Sequence, residues 1–325
     1  MDVPMKRLCV LDDYQRVATT IVDWSALDGR VDVECWSEHV GDEDALAAAL
    51  EPFHIIVAMR ERTPFPGGLL ERLPNLELLV TTGHFNAVID LAAASDHGVT
   101  VCGTGGRFPP TAELTWGLIL ACVKQIPQID RTVKAGGWQT VLGGDLAGAR
   151  LGLVGLGRYG AGVARIGQAF GMDLVAWSQN LTEARCREVD AGVTLVSKAE
   201  LFATSDVVTV HLVLSPRTTG LVGAPELAAM KATAYLVNTS RGPIVDEDAL
   251  ADALEVRSIA GAGIDVFGEE PLPADHPFRR LDNLVVSPHM GYVTKESYRV
   301  FYGDAVEDVV AYLDGSPIRA VQPAP

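Results

Sequence analysis

The ten residues from Leu151 to Gly160, LGLVGLGRYG, constrain the fold of this chain more than any other stretch. The first four are apolar enough for a buried strand, and Gly155, Gly157 and Gly160 follow in the pattern G-x-G-x-x-G. Between a strand and a helix, the first glycine permits a tight turn and the second lets the backbone approach a pyrophosphate. The third lets the helix pack closely on the strand. The stretch therefore predicts a helix to about Phe170 and the phosphate-binding start of a dinucleotide-binding domain.

Segments with the patterns of strands and helices alternate along the rest of the chain. The strand candidates before this stretch are Leu8–Leu11, Val31–Trp36, Ile55–Met59, Leu76–Thr81 and Val99–Cys102. Six more candidates begin with it, namely Leu151–Val154, Leu174–Trp177, Val207–Val210, Tyr235–Asn238, Gly261–Ile264 and Leu284–Ser287. An amphipathic helix is predicted near Glu296–Leu313. Alternation of this kind predicts parallel sheets covered by helices.

The length and the glycine and proline positions divide this α/β pattern in two. A chain of 325 residues is long for one core. A cluster of glycines and prolines at 103–110 also interrupts the alternation. We therefore predict two Rossmann-like, doubly wound parallel-sheet domains. Residues 105–292 form a nucleotide domain, which is inserted in a flavodoxin-like domain made of residues 1–104 and 293–325.

Composition and charge disfavour several classes of protein. The formal net charge of −16 argues against nucleic acid or an anionic membrane as a partner, although a local cationic site can still bind a small anion. No apolar run reaches the length of a membrane span, and the N-terminus lacks the pattern of a signal peptide. The five cysteines are scattered and odd in number, which is typical of reduced thiols in a cytoplasmic protein. We predict no metal site.

Three chemically useful side chains follow three successive strands of the nucleotide domain. Arg241 follows Tyr235–Asn238, Glu270 comes after Gly261–Ile264, and His289 comes after Leu284–Ser287. Ligands bind beyond the carboxyl ends of the strands in such sheets. Each residue alone is more typical of a surface arginine, a solvated glutamate or a capping histidine. Their succession at three strand ends instead indicates a catalytic site.

This combination resembles the D-isomer-specific 2-hydroxyacid dehydrogenases, from about Leu8 to Leu313. The motifs that carry the resemblance are GLGRYG at 155–160, NTSRG at 238–242 with Asp246, DVFGEEP at 265–271 and SPHMG at 287–291. The loop TGHFNAVID at 82–90 and the helix start PTAEL at 110–114 are similar to further family motifs. The resemblance implies an enzyme that interconverts a small anionic 2-oxo acid and a D-2-hydroxy acid with NAD or NADP. The domain of residues 1–104 and 293–325 would then bind the substrate.

The family's roles carry over to matching positions. His289 would be the general acid/base, Glu270 would stabilise its imidazolium form, and Arg241 would bind the substrate carboxylate and polarise the carbonyl. The residues expected to contact the cofactor are Gly155, Gly157, Arg158, Tyr159, Gly160, Ser178, Gln179, His211, Thr239, Ser240, Asp265, His289 and Gly291. Asp265 would contact its carboxamide. The residues expected to contact the substrate are Arg60, Thr82, Gly83, His84, Arg241 and His289. A solvated role for Arg60 is equally compatible with the sequence.

One position departs from the family pattern and concerns the choice of cofactor. The second strand of the nucleotide domain usually ends in an acid that binds the adenosine ribose. Here the residues after Trp177 are Ser-Gln-Asn, and Asp173 lies at the wrong end of the strand. No arginine lies at this strand end, although Arg185 and Arg187 occur in the next segment. We therefore expect NAD to be preferred over NADP, with modest discrimination.

The sequence is also compatible with other functions, and it leaves several properties of the protein undetermined. The alternatives are an NAD(H)-sensing, corepressor-like protein of the same fold and a formate-type dehydrogenase. Glu270 disfavours the formate type, which usually has glutamine in this role, and a methyltransferase would leave the strand-end residues unexplained. Glyoxylate, hydroxypyruvate and 3-phosphoglycerate types of substrate are all within the family's range. We expect a cytoplasmic homodimer, and the sequence does not set the direction of the reaction.

Overall fold

The computed structural model describes residues 5–107 and 109–322, and it divides into two compact units. The first unit extends to Arg107 and resumes at Thr294, and the second unit ends at Val293. The elements of the first stretch are β1 Lys6–Val10, α1 Ala18–Ile21, β2 Val31–Cys35, α2 Glu43–Leu50, β3 Ile55–Ala58, α3 Gly67–Leu70, β4 Leu78–Thr81, α4 Leu91–Asp96 and β5 Thr100–Gly103.

The second unit contributes most of the remaining elements. They are α5 Pro109–Val123, α6 Ile126–Lys134, β6 Arg150–Val154, α7 Arg158–Ala169, β7 Asp173–Trp177, α8 Glu183–Glu188, β8 Thr194–Leu195, α9 Lys198–Thr204, β9 Val207–Val210, α10 Ala224–Ala229, β10 Tyr235–Asn238, α11 Glu247–Glu255, β11 Gly261–Ile264 and β12 Leu284–Val286. The long helix α12, Lys295–Leu313, then belongs to the first unit.

The first unit is built on a five-stranded parallel sheet with the order β2-β1-β3-β4-β5. This is the flavodoxin-like order, and it confirms the predicted fold of this part. Strands β3 and β4 are buried along their whole length, as expected for central strands with helices on both faces. The order reverses between β1 and β3, so the loops that follow these two strands diverge at that point.

The C-terminal segment completes the first unit through α12 and the residues after it. Helix α12 packs against β4 and buries Phe301 and Tyr302. After the helix, the chain runs beside β5, where the Val321 N–H donates to the Val101 carbonyl at 2.8 Å. The Asp308 side chain of α12 is fully buried, and its Oδ1 accepts from Arg319 Nε at 2.9 Å. Its Oδ2 has no hydrogen-bond donor within the described chain, and burial raises the pKa of Asp308 to about 6.

The second unit has a seven-stranded parallel sheet with the order β12-β11-β10-β9-β6-β7-β8. This is a doubly wound order that reverses between β6 and β9, as predicted for a dinucleotide-binding domain. The prediction of six strands was wrong by one. The extra strand β8 has only two residues and pairs at the edge with β7, so it is too short to produce a recognisable pattern in the sequence.

Helix α5 fixes the position of α7, the helix that follows the glycine turn. Trp116 of α5 donates from Nε1 to the Val163 carbonyl at 3.1 Å. The Trp116 ring also stacks on Phe170 with a centroid distance of 4.8 Å. On the sheet side, a Cβ at Gly263 would lie 3.1 Å from Leu118, so glycine lets α5 approach β11 closely. Across the described ranges, no helix is both long and apolar enough to cross a membrane.

Candidate active site

The glycine turn after β6 lies at the point where the second sheet reverses its order. Gly155 has φ of +104°, and its N–H donates to the Trp177 carbonyl at 2.8 Å. A Cβ at Gly155 would lie 2.5 Å from the His211 carbonyl oxygen, and a Cβ at Gly160 would lie 2.2 Å from the Gly155 oxygen. Packing within the protein therefore requires glycine at both positions.

Gly157 differs from its two neighbours, because packing within the protein does not require a glycine there. Its φ is negative, and an added Cβ would meet no protein atom within 4 Å. Gly157 is the N-cap of α7, and the first hydrogen bond of the helix runs from the Ala161 N–H to the Gly157 carbonyl. The first-turn amides and the positive end of the helix dipole fit a pyrophosphate, and glycine keeps the approach to them open. Arg158 and Tyr159 occupy the first helical positions.

The loop after β9 forms the other side of the reversal point. The His211 N–H donates to the Val154 carbonyl at 2.8 Å, and His211 Nε2 lies 3.0 Å from Thr209 Oγ1. Burial lowers the pKa of His211 to about 3, so this imidazole is neutral at physiological pH. It can therefore offer a neutral donor or acceptor near a bound nucleotide, but not a charge.

The hydroxyls of Thr239 and Ser240, after β10, are both engaged within the second unit. Thr239 Oγ1 lies 2.8 Å from Thr115 Oγ1 of α5, and Ser240 Oγ donates to the Val210 carbonyl at 2.8 Å. These bonds tie the end of β10 to α5 and β9. The structure therefore gives a structural role to both of these residues, which were predicted to contact the cofactor.

The end of β7 carries no acid, as the sequence indicated. Ser178 is half-buried and Gln179 is exposed. Asp173 lies at the opposite end of the strand, 2.6 Å from Arg150. Arg185 of α8 reaches back to the glycine turn and donates from Nε to the Leu156 carbonyl at 3.1 Å. Sequence reasoning placed this arginine outside the strand end and missed the contact.

His289 and Glu270 form a close pair at the carboxyl ends of the neighbouring strands β12 and β11. Their Nδ1 and Oε2 atoms are 2.6 Å apart, and their side chains are 21% and 33% exposed. The second oxygen of Glu270, Oε1, accepts from the Phe267 N–H at 2.8 Å. Both carboxylate oxygens therefore have a donor, which fixes Glu270 and in turn orients the imidazole.

Asp265 holds the loop that carries His289. Its fully buried carboxylate accepts from the Ser287 hydroxyl, from the Met290 N–H at 2.8 Å and from the Gly291 N–H at 2.9 Å. The His289 N–H donates to the Asp265 carbonyl at 2.7 Å, and His289 adopts φ of +54°. Burial raises the pKa of Asp265, and the three donors oppose this rise. Whatever Asp265 contributes to the predicted carboxamide contact, its carboxylate already serves as the anchor of the His289 loop.

Arg241 lies at the carboxyl end of β10, the strand next to β11. Its Nη1 donates to the Ser240 carbonyl at 2.7 Å. A Cβ at Gly242 would lie 2.0 Å from the Phe267 carbonyl carbon, so the turn after Arg241 packs directly on the loop that leads to Glu270. Arg241, Glu270 and His289 thus come from three adjacent strands, and they lie at one edge of one sheet.

The predicted substrate residues of the first unit follow β3 and β4. Arg60 donates from its N–H to Thr82 Oγ1 at 2.8 Å and from Nη1 to the Thr82 carbonyl at 3.1 Å. Its side chain is 22% exposed and lies over Gly83, where a Cβ would meet Nη1 at 1.7 Å. The N–H of Gly83, another predicted substrate contact, donates to Thr104 Oγ1 at 2.7 Å. Arg60, Thr82 and Gly83 are thus brought together, whereas His84 is exposed.

Comparison with known proteins supports the resemblance to the D-isomer-specific 2-hydroxyacid dehydrogenases. Residues 116–291 match the family model described as "D-isomer specific 2-hydroxyacid dehydrogenase, NAD binding domain". The chain is 36% identical over 298 residues to a glyoxylate reductase of Aeropyrum pernix, with 87% of each protein covered. It is 35% identical to a D-3-phosphoglycerate dehydrogenase of Archaeoglobus fulgidus, with 82% of this chain covered but only 51% of that protein. This chain therefore spans about half the length of the Archaeoglobus relative.

The fold is also similar to that of solved structures. A phosphoglycerate oxidoreductase of Vibrio cholerae O395 superposes with a TM-score of 0.90 and 37% identity, covering 96% of this chain and all of that one. The glycine turn, the seven-stranded sheet and the strand-end residues thus occur in a chain whose relatives are dehydrogenases and reductases of 2-hydroxy and 2-oxo acids. The chain belongs to the D-isomer specific 2-hydroxyacid dehydrogenases, a family of NAD-dependent oxidoreductases.

Proposed function

We propose that this protein reduces a small 2-oxo acid to the D-2-hydroxy acid, and catalyses the reverse reaction, with His289 as the general acid/base. The observation that supports this role most directly is the 2.6 Å contact between His289 Nδ1 and Glu270 Oε2. A carboxylate at this distance favours the imidazolium, which is the form able to donate a proton. Because Glu270 engages Nδ1, the other ring nitrogen, Nε2, is left for the substrate.

The reduction needs a hydride and a proton at the carbonyl group. The nicotinamide supplies the hydride to the carbonyl carbon when NADH is bound. His289 releases its Nε2 proton to the carbonyl oxygen, which becomes the hydroxyl, and the imidazole is left neutral. Glu270 stays ionised throughout, so its part is to orient the ring and stabilise its charge. In the oxidation the neutral His289 takes the hydroxyl proton back.

Arg241 is the residue we assign to the substrate carboxylate. A guanidinium can bind both oxygens of a carboxylate with two parallel hydrogen bonds, which also fixes the orientation of the acid. Its position is supported by the packing of Gly242 on the Phe267–Gly268 backbone, which couples the Arg241 turn to the Glu270 loop. Arg60, Thr82 and Gly83 are proposed as further contacts of the substrate, and His84 is proposed with them on the resemblance alone.

The predicted cofactor contacts also belong to this proposal. The carbonyl and N–H groups of the glycine turn, the start of α7 and the loops after β7, β9 and β10 would hold the dinucleotide. The substrate class that we favour is a short, singly charged acid of the glyoxylate or hydroxypyruvate type. The glyoxylate reductase of Aeropyrum pernix, which this chain matches over 87% of both proteins, supports that choice.

We also propose that the protein is a cytoplasmic homodimer. The segment that starts with α6 exposes five large apolar side chains, which are Ile126, Ile129, Val133, Trp138 and Leu142. Trp138 is 72% and Leu142 is 93% exposed, which is unusual for a stretch of soluble chain without a partner. None of the five cysteines forms a disulfide, in keeping with a reducing compartment.

An NAD(H)-sensing protein is the main rival function. A sensor needs the glycine turn but does not need a paired histidine and glutamate beside an arginine. A formate-type enzyme is disfavoured because Glu270 accepts from both His289 and Phe267, whereas a glutamine has only one oxygen to offer.

The test is an assay of glyoxylate, hydroxypyruvate, pyruvate and 3-phosphohydroxypyruvate with NADH and NADPH, for the wild type and His289→Ala. We expect turnover of at least one acid and a loss of about 10²- to 10⁴-fold in His289→Ala. The variant should still bind NADH in a fluorescence titration. Binding of NADH without reduction of any acid by the wild type would favour the sensor, and full activity of His289→Ala would remove the histidine from the mechanism.

A further inference from the structure

Dinucleotide-binding domains recognise the adenosine ribose at the end of the second strand. In this protein a serine follows that strand, and an arginine of the next helix contacts the glycine turn. Strand β7 pairs with β6 so that Trp177 lies opposite Val154, and the Gly155 N–H donates to the Trp177 carbonyl. Ser178, the next residue, therefore lies beside the glycine turn. An acid near this position binds the 2′-hydroxyl of NAD, whereas a nearby arginine accommodates the 2′-phosphate of NADP.

Arg185 forms a hydrogen bond with the glycine turn itself. Its Nε donates to the carbonyl of Leu156, the residue between the first two glycines of the motif, at 3.1 Å. Its Nη1 lies 3.2 Å from Glu188 Oε2. Nη2 has no acceptor within residues 5–107 and 109–322, and the side chain is 41% exposed. The guanidinium is thus held beside the turn with one nitrogen available to an anion.

The acids near this arginine are poorly placed to repel a phosphate. Glu188 is 64% exposed, and Glu183 is 77% exposed in a pair with Arg187. Exposed pairs of this kind are weak because water and salt screen them. Asp173, the acid of β7 itself, lies at the far end of the strand beside Arg150. A phosphate with a charge near −2 would therefore compete well with Glu188 for the Arg185 guanidinium.

We propose that Arg185 and Ser178 form a subsite for the 2′-phosphate of NADPH, so that this protein binds NADPH at least as tightly as NADH. This deepens the proposed function by naming a second form of its cofactor. It also changes the expectation from sequence, which gave NADH a modest preference because neither an acid nor an arginine follows β7 directly. The structure supplies the arginine from the next helix.

The experiment measures dissociation constants of NADH and NADPH by fluorescence titration and by calorimetry, with no substrate present. Arg185→Gln should weaken NADPH binding about tenfold to a hundredfold more than NADH binding, the range expected for one charge-assisted contact. Arg187→Gln is the matched control, because Arg187 lies on the same helix and pairs with Glu183, but in a more exposed position than Arg185. It should leave the NADPH to NADH ratio within twofold. Ser178→Asp should shift the ratio towards NADH, and it serves as a second variant if Arg185→Gln does not fold.

Three results would overturn the proposal. They are a wild type that binds NADPH ten times more weakly than NADH, an Arg185→Gln variant that weakens both nucleotides equally, and an Arg187→Gln variant that matches Arg185→Gln. Competition should also favour 2′,5′-ADP over 5′-AMP in the wild type and lose this preference in Arg185→Gln. Binding of both nucleotides without turnover of any 2-oxo acid would reject the proposed function alone, since the subsite is measured by affinity.

Discussion

Replacing Glu270 with glutamine tests the acid/base pair most directly, because it removes one charge and almost no volume. Glu270 uses two acceptor oxygens, one for His289 Nδ1 at 2.6 Å and one for the Phe267 N–H at 2.8 Å. Glutamine has one acceptor and one NH₂ group. If its oxygen stays on Phe267, its NH₂ group faces Nδ1, which must then be unprotonated. If its oxygen instead faces Nδ1, the bond to the charged ring is to a neutral acceptor. Both orientations therefore weaken the preference for the imidazolium.

The size of the effect follows from the two kinds of hydrogen bond. A bond to an ionised group contributes about 1.5–3 kcal/mol, and a neutral bond contributes about 1 kcal/mol. The pair is one fifth to one third exposed, so water screens it and the lower part of the range applies. The variant should therefore lose about 1 kcal/mol of stabilisation of the charged ring, which corresponds to roughly a fivefold loss in a reduction rate that depends on this form.

The direction of the change differs between the two reactions. Reduction needs protonated His289, so its activity should be lost at a lower pH in Glu270→Gln than in the wild type. Oxidation needs the neutral ring, so the rising limb of its pH profile should also move to lower pH. The assay is kcat against pH in both directions at saturating nucleotide. Glu269→Gln is the control, because it removes an adjacent exposed acid. A limb that stays in place or moves to higher pH in Glu270→Gln would refute the role of Glu270.

Two further predictions concern positions outside this pair. Gly157→Val should weaken NADH binding at least tenfold in a titration with a change of less than about 2 °C in Tm, because the new side chain meets no protein atom near its Cβ; an unchanged affinity would contradict the assignment of the turn. The free energy of unfolding of Asp308→Asn relative to that of the wild type should increase as the pH rises from about 4 to 7. The folded wild type holds a proton up to about pH 6 that the unfolded chain has already lost, so its free energy of unfolding decreases over this range by up to about 3 kcal/mol. Urea unfolding at several pH values measures the difference, and a constant gap between the two proteins would contradict it.

The strands could be predicted from the sequence because they are buried runs. The predictions for β9, β10 and β11 agree with the structure at both ends, and β6 differs by one residue. Arg241, Glu270 and His289 could be placed at one edge because consecutive strands in this half of the sheet are also neighbours in space. Once the order of the sheet was predicted, the strand-end residues followed.

The contacts that hold the site could not be predicted in the same way. The Asp265 carboxylate binds Ser287, Met290 and Gly291, more than 20 residues away, and this depends on the conformation of two loops. The Arg185 contact with Leu156 depends on the direction of a side chain from α8. The Gly83 N–H bond to Thr104 joins the ends of two adjacent strands. Sequence patterns indicate which residues are buried and whether the spacing of apolar residues fits a helix or a strand. None of these contacts changes either the burial or the spacing.

The interrupted first unit has a consequence for the order in which the protein is synthesised. Its sheet is complete at Gly103, but α12, which packs on β4, and the residues that run beside β5 come after Val293. At about 5–20 residues per second, a ribosome needs roughly 10 to 40 seconds to make the roughly 190 residues between them. During that time β4 lacks its covering helix and the edge of β5 is unpaired, while the second unit is emerging as one continuous segment. The nascent chain thus finishes the nucleotide-binding unit first, and the unit that begins the sequence is the last to close.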